Sequence, residues 1–206
     1  MTKGFAGFLL LTLTASAIAA GQSSSSNWVK QEKKDAFTGT SYVQFMLPGK
    51  FLTPPQHGTL AAPALVLQCV PGETKVHKGW YSAGKLSSAW IDVGASFNGT
   101  ANGVPVEYRR DDDRPDSSVW VESTDLVGLF PPPSLNGRPA GSNELDYMLF
   151  GNAGMHKVNT TPPVRKLVLM ANEYLGAAIV MEFDLTDLDG ADGIASQCGL
   201  AMYPKN

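Results

Sequence analysis

Short alternations of apolar and polar residues recur along the chain, and they favour β-strands over helices. In the segment 40–47, the apolar residues Val43, Phe45 and Leu47 fall on one face. The segment 104–109 alternates in the same way. Further short runs of strand-like composition are found at 64–69, 75–81, 89–93, 119–122, 126–130, 147–150, 166–171 and 178–185. This pattern predicts an all-β chain, a single antiparallel β-sandwich or barrel of about ten short strands.

Turn-forming residues predict where several of these strands end. Pro71-Gly72 is expected to end the strand that starts at Ala64. Ser82-Ala83-Gly84 is expected to separate the strand 75–81 from the strand 89–93. The chain contains 21 glycines and 14 prolines, a turn-rich composition that argues against a helical bundle.

One segment near the C-terminus has helical rather than alternating spacing. Its apolar residues recur at intervals of three or four positions, at Leu188, Ala191, Ile194, Ala195 and Cys198. Asp187 or Asp189 is expected to cap the start of this helix, and Gly199 suits the position just after its end. The sequence therefore predicts one short C-terminal helix beside the strands.

The first residues have the organisation of a signal peptide. Lys3 supplies a positive charge, 5–13 is apolar, and Ala17-Ile18-Ala19 places small residues before a cut at Ala20. We therefore expect residues 1–19 to be a cleaved signal peptide, 20–27 a flexible polar linker, and 28–203 a single β-sandwich domain. The residue directly after the cut is not a cysteine, so we expect no lipid anchor. We also expect no stable membrane span after cleavage. The expected location is the periplasm or the outside of the cell.

Composition and charge narrow the function classes. Of 206 residues, 43% are hydrophobic and 17% charged, which excludes wholesale disorder. The formal net charge is −3 and the isoelectric point is near 5.6, so there is no electrostatic reason to expect a nucleic-acid partner. Mixed charges surround Lys30, Lys33 and Lys34, which lie close to Glu32 and Asp35, and this segment is expected to be a solvated start of the domain.

Export determines how the two cysteines are interpreted. Two cysteines in one exported domain usually pair, so we expect a disulfide between Cys69 and Cys198. The alternative is two buried thiols. A catalytic thiol is disfavoured, because Cys69 ends the apolar run 64–69 rather than lying in an electropositive setting.

The remaining motifs give no catalytic or metal-binding signature. His57, His77 and His156 do not have zinc-ligand spacing, and the sequence has neither a GxSxG elbow nor a phosphate-binding glycine loop. The acidic run 184–193 does not fit a twelve-residue calcium loop, because setting either of its glycines at the required position leaves other ligand positions without a carboxylate. We therefore expect no catalytic residues, no metal and no cofactor, and interpret the chain as a non-enzyme.

Two alternatives stay open at this point. One is a small secreted hydrolase acting on cell-wall glycan, with Glu107 and Asp125 as paired carboxylates. The other is a carbohydrate-binding module in which Trp80, Tyr81 and Trp90 form an aromatic surface.

The longest predicted connection, 129–144, is rich in proline and glycine and contains one apolar residue, Leu135, followed by Arg138. Long loops on a rigid scaffold often carry binding residues. We interpret this loop as a partner-binding segment, with Leu135 as an apolar anchor and Arg138 as a hydrogen-bonding group. The alternative is a tolerated surface insertion.

Several short motifs are spaced along residues 28–200. In chain order they are Trp28, Pro63-Ala-Leu-Val-Leu-Gln-Cys69, Val106-Glu-Tyr-Arg109, Trp120 with Ser123, Phe183-Asp-Leu-Thr-Asp-Leu188 and Cys198-Gly199. Together they resemble the VasI/TagO family of accessory proteins associated with bacterial type VI secretion. The chain departs from that pattern at Leu200, where the family commonly has tryptophan. The resemblance implies an exported, non-catalytic envelope component that contacts an envelope or secretion-system protein, and it supplies no catalytic residues.

Overall fold

The structure is a computed structural model that describes residues 27–77, 79–99, 103–123, 128–131, 148–149, 156–157, 164–174, 176–186, 188 and 193–205. Its strands are β1 (Val29–Lys34), β2 (Ser41–Pro48), β3 (Lys50–Thr53), β4 (Ala64–His77), β5 (Trp80–Asp92), β6 (Val104–Arg110), β7 (Asp116–Glu122), β8 (Gly128–Phe130), β9 (His156–Lys157), β10 (Lys166–Asn172), β11 (Ala178–Asp184) and β12 (Ala201–Pro204). One short helix, α1 (Ile194–Gln197), precedes the last strand.

The strands form one antiparallel sheet that follows the path β1-β2-β4-β5-β8-β7-β6-β10-β11-β3. Off this path, β12 pairs antiparallel with β5 and parallel with β9. The prediction of an all-β antiparallel domain with one short C-terminal helix is confirmed.

At Gly49 the chain passes from β2, the second strand at one end of this path, to β3 at the other end. β2 ends at Pro48 beside β4, whereas β3 starts at Lys50 beside β11, at the far end of the path. A Cβ atom on Gly49 would lie 2.6 Å from Cε1 of Phe183 and 2.8 Å from the carbonyl oxygen of Glu182. Only glycine therefore lets the chain pass this close to β11 while it moves from one part of the sheet to the other.

The apolar residues that alternate with polar ones in the sequence are the residues that the strands bury in the core. On β2, Val43, Phe45 and Leu47 are buried. On β7, Trp120 is 1% exposed, whereas its neighbours Val119 and Val121 are 47% and 60% exposed. β6, β10 and β11 place every second residue in the same core, through Val104, Val106, Tyr108, Leu167, Leu169, Ala171, Ile179, Met181 and Phe183.

The predicted ends of β4 and β5 are wrong. β4 continues through Pro71-Gly72 to His77, and β5 runs without a break through Ser82-Ala83-Gly84. β2 stops pairing with β4 at Cys69, so beyond that residue β4 has β5 as its strand partner, and the sheet absorbs Pro71 through a register irregularity. A proline is better tolerated there because β4 has lost β2 as a hydrogen-bonding neighbour.

Two further local predictions are wrong. The N-cap of α1 is Gly193, without a side-chain cap, so neither Asp187 nor Asp189 caps this helix, which starts later than predicted. Gly199 follows it with φ of +69°, as expected. In the predicted strand 147–150, the two described residues, Met148 and Leu149, are helical and fully buried.

The predicted disulfide is confirmed. Cys69 and Cys198 are bonded with their Cα atoms 4.9 Å apart, and both cysteines of the chain are thereby used. The bond fastens the end of α1 to β4. Gly84 lets α1 approach β5 closely, because a Cβ atom there would overlap the carbonyl oxygen of Gln197.

Candidate functional site

Two concave surfaces are candidates for binding, and the first lies on the outer face of β6, β10 and β11. Because Tyr108 points into the core, its neighbours Glu107 and Arg109 point outward. The strand register places Met170 beside Glu107, and the same row continues to Val180 on β11. The resulting depression encloses about 160 Å³, and we call it the outer furrow; its lining residues are Glu107, Tyr108, Arg109, Pro115, Val168, Met170 and Val180.

The outer furrow has an apolar centre and a charged rim. Val168, Met170 and Val180 are half-buried, whereas Glu107 and Arg109, on the adjoining strand β6, are exposed. On its far side, Lys50 of β3 forms an ion pair with Glu182 of β11, with Nζ and Oε1 2.7 Å apart. Apolar residues surrounded by polar and charged groups are typical of protein interfaces.

The second concave surface lies at the β1 edge of the sheet and encloses about 450 Å³. We call it the lysine cleft; its lining residues are Lys30, Glu32, Lys33, Lys34, Ser41, Tyr42, Val43, Pro71 and Gln197. It opens where β2 and β4 part, beyond the pairing of Val43 with Cys69. On one side lies β1 with the start of β2, and on the other lie Pro71 and Gln197.

Polar contacts hold together the strands that flank the lysine cleft. Nζ of Lys33 donates a hydrogen bond of 2.5 Å to Oε1 of Gln44, whose Nε2 donates a bond of 3.0 Å to Oε1 of Gln68. Gln44 is buried, so this chain of contacts ties the outer side of β1 to β2 and β4. Nζ of Lys30 lies 3.3 Å from Oε1 of Glu32, an ion pair exposed to solvent.

A buried carboxylate, Glu173, holds the loop that follows β3. Its side chain is 3% exposed and accepts hydrogen bonds of 2.9 and 2.8 Å from the backbone N–H groups of Gln56 and His57. The Nδ1 atom of His57 lies 3.2 Å from Oε1. Burial alone raises the pKa of Glu173, but the bonds from Gln56 and His57 outweigh it and lower the pKa overall. The arrangement is a loop anchor, and the exposed His57 ring is held by one nitrogen.

The three predicted aromatic residues do not lie side by side. Trp90 donates from Nε1 to Oδ1 of Asp92 over 2.9 Å and stacks on Phe130, with ring centroids 5.8 Å apart. Trp80 and Tyr81 lie at the other end of β5, which at about 3.3 Å per residue places Tyr81 roughly 30 Å from Trp90. A single flat platform made by all three is not formed by this strand.

Several predicted residues lie outside the described part of the chain. These are Leu135 and Arg138 of the proposed binding loop and Asp125 of the hydrolase alternative; its partner Glu107 is in the outer furrow. Among the residues that the structure describes, no three His, Cys, Asp or Glu side chains come together as a metal site. None of the described helices is long and apolar enough to span a membrane.

The sequence interpretation missed the lysine cleft. It treated the segment around Lys30 and Lys34 as a mixed-charge run, although Lys30, Glu32 and Lys34 alternate at the period of a strand and therefore share one face. This two-residue period was the signal from which a charged strand face could have been predicted. The anchor of His57 on Glu173 had no local signal, because 116 residues separate the two.

Comparison of the chain with models of protein families, with curated proteins and with solved structures finds no match.

Proposed function

We propose that this chain is an exported, non-catalytic protein of the bacterial envelope that acts by contact with another protein. Export rests on the signal-peptide pattern of residues 1–19, and the Cys69–Cys198 disulfide supports it, since such bonds persist in oxidising compartments. The motifs that resemble the VasI/TagO family extend the proposal to a role beside a type VI secretion system.

The proposed contact with another protein rests on the outer furrow. Its apolar floor is formed by strands that each have a neighbouring strand on both sides, so it is rigid before any partner arrives. A rigid site loses little conformational entropy on binding. Nearby on β7, the exposed side chains of Val119 and Val121 add apolar surface.

The chemistry of the furrow defines the partner. A protein segment that binds here inserts an apolar side chain over Met170 and places a base towards Glu107 and an acid towards Arg109. The apolar contact supplies affinity, and the two charges fix the orientation.

Affinity purification from envelope fractions tests the proposal. Tagged wild-type protein is compared with Met170→Glu, which puts a charge on the furrow floor, and with Tyr174→Glu, a matched change at a side chain that is 69% exposed elsewhere. We expect one envelope protein to accompany wild type and Tyr174→Glu but not Met170→Glu, and to bind again when purified. Equal recovery of the same proteins with Met170→Glu contradicts the proposal.

A further inference from the structure

The register of β1 and β2 turns three charged side chains towards one side of the lysine cleft. Glu32 pairs with Val43 and Lys34 with Ser41, and directly paired residues project to the same side of a sheet. Lys30 shares that side because it is two residues from Glu32. These residues thus point to the side that carries the core, yet all of β1 is exposed. The charges therefore face an open, solvent-accessible cleft instead of packed side chains.

The fold holds β1 in this position. Trp28, immediately before it, is buried with 7% exposure, and six consecutive residues of β1 pair with β2. On the other wall, the disulfide at Cys198 fixes Gln197 next to the cleft. Both walls are therefore fixed without a ligand. Such preorganisation favours tight binding, because little conformational entropy is lost when the ligand binds.

The charge of the cleft is opposite to that of the protein. Lys30, Glu32 and Lys34 face it, a local surplus of one positive charge, whereas the whole chain has a formal net charge of −3. An anion is therefore repelled by the protein as a whole and attracted to this place. The two ammonium groups can each pair with one charge of a dianion, while Glu32 opposes binding.

Neutral donors complete the site. Ser41, which shares the side of Lys34, and Gln197 are among the lining residues, and oxyanions accept hydrogen bonds from hydroxyl and amide groups. The volume of about 450 Å³ lies in the range of pockets for small molecules.

We infer that the lysine cleft is a binding site for a small dianionic oxyanion, either a phosphate monoester or a dicarboxylate. Lys30 and Lys34 bind the charged oxygens, Ser41 and Gln197 donate neutral hydrogen bonds, and Glu32 limits the affinity. The inference does not depend on partner binding at the outer furrow, because the two sites share no lining residue.

Lysines on an edge strand also have a protective use, since they discourage pairing with another sheet. Protection needs only exposed charges along β1. Protection requires no second wall and no affinity for anions. Calorimetry therefore distinguishes the two roles, because only a binding site takes up an anion with an affinity that changes when single charges in the cleft are removed.

Isothermal titration calorimetry of the purified protein with glycerol phosphate and with succinate tests the inference, with glycerol as the uncharged control. We expect saturable binding of at least one dianion, none of glycerol, and weaker binding as NaCl is added. Binding of glycerol phosphate alone identifies a phosphate monoester, and binding of both identifies dianions generally. Absence of binding to both overturns the inference.

Charge variants locate the site. Lys30→Gln/Lys34→Gln is expected to weaken binding about tenfold or more, given the size of hydrogen bonds to charged groups. Lys50→Gln/Lys75→Gln removes the same charge from β3 and β4 outside the cleft and is expected to leave binding nearly unchanged. Glu32→Gln is expected to strengthen it. Equal weakening by the two lysine pairs, or weaker binding by Glu32→Gln, overturns the inference.

Discussion

The lysine cleft and the outer furrow are both concave, yet the chain builds them in different ways. The furrow lies on three neighbouring strands, β6, β10 and β11, and its shape follows from their register alone. The cleft brings together β1, the start of β2, Pro71 and Gln197, which are distant in sequence, and depends on the bond between Cys69 and Cys198.

This difference predicts different sensitivities. Changes at the disulfide or at the contact between α1 and β5 are expected to alter the cleft and spare the furrow. A change on the furrow strands is expected to do the reverse. The comparison thus separates the proposed anion site, which depends on tertiary contacts, from the proposed protein-contact surface, which depends on sheet register.

The largest effect is expected from the double variant Cys69→Ala/Cys198→Ala. The bond closes a sequence separation of 129 residues, and loss of a disulfide across such a loop lowers the free energy of unfolding by about 2–5 kcal/mol. Urea unfolding, followed by fluorescence, measures this loss. Wild type in reducing buffer is the matched control and is expected to match the variant. A variant as stable as oxidised wild type contradicts the role given to this bond.

The next effect is expected from Gly84→Ala. The new methyl group overlaps the carbonyl oxygen of Gln197, so α1 must move or the core must strain, at a cost of about 1–3 kcal/mol. Gly128→Ala is the control, because its nearest neighbour would be 3.3 Å away. Thermal unfolding compares the two. If Gly128→Ala proves the more damaging change, the close packing of α1 on β5 is not the constraint described.

A smaller effect is expected from Glu173→Gln, which lies outside the lining of both surfaces. The amide presents N–H groups to the N–H groups of Gln56 and His57, and such mismatches cost about 1–2 kcal/mol. Because the folded pKa of Glu173 is lowered, its contribution is complete above its ordinary value of 4.5 and is lost as pH falls through the lower folded value.

Urea unfolding across pH measures the contribution of Glu173. The difference between wild type and Glu173→Gln is expected to be largest at neutral pH and to shrink in acid, while binding at both surfaces is retained. A difference that grows as the pH falls below 4.5 contradicts this account of the carboxylate.

The smallest effect is expected from Lys33→Ala. Its bond to Gln44 is partly buried, so its removal is expected to lower the free energy of unfolding by about 0.5–1 kcal/mol. Lys34→Ala on the same strand serves as a comparison, because no such bond to a buried side chain is formed there. Equal stability of the two variants would show that the contact of Lys33 with Gln44 does not hold β1.

The sequence predicted the strands that have one face in the core and one in solvent. Val43, Phe45 and Leu47 of β2 illustrate this, because burial of every second residue leaves a period that local pattern reveals. The continuous hairpin of β4 and β5 was missed. Pro71 and Gly84 have the chemistry of turns, and only the absence of β2 beside Pro71 and the approach of α1 to Gly84 explain them as strand residues.

The candidate sites were less predictable than the fold. The disulfide was predictable, since only two cysteines exist and the N-terminus indicates export. The cleft required knowledge that Gln197 faces β1 across a gap, which no local pattern contains. The furrow required the register of Met170 against Glu107, a pairing between segments 63 positions apart in the numbering.

The central claim is that the two surfaces are built independently, with the cleft alone dependent on the disulfide. The most direct measurement is an amide NMR titration with the dianion that calorimetry identifies, performed on oxidised and on reduced protein. The account predicts shifts at Lys30, Lys34 and Gln197 in the oxidised protein and their loss on reduction, with the amides of Val168 and Met170 unchanged throughout. An equal response after reduction, or shifts centred on Val168 and Met170, would contradict it.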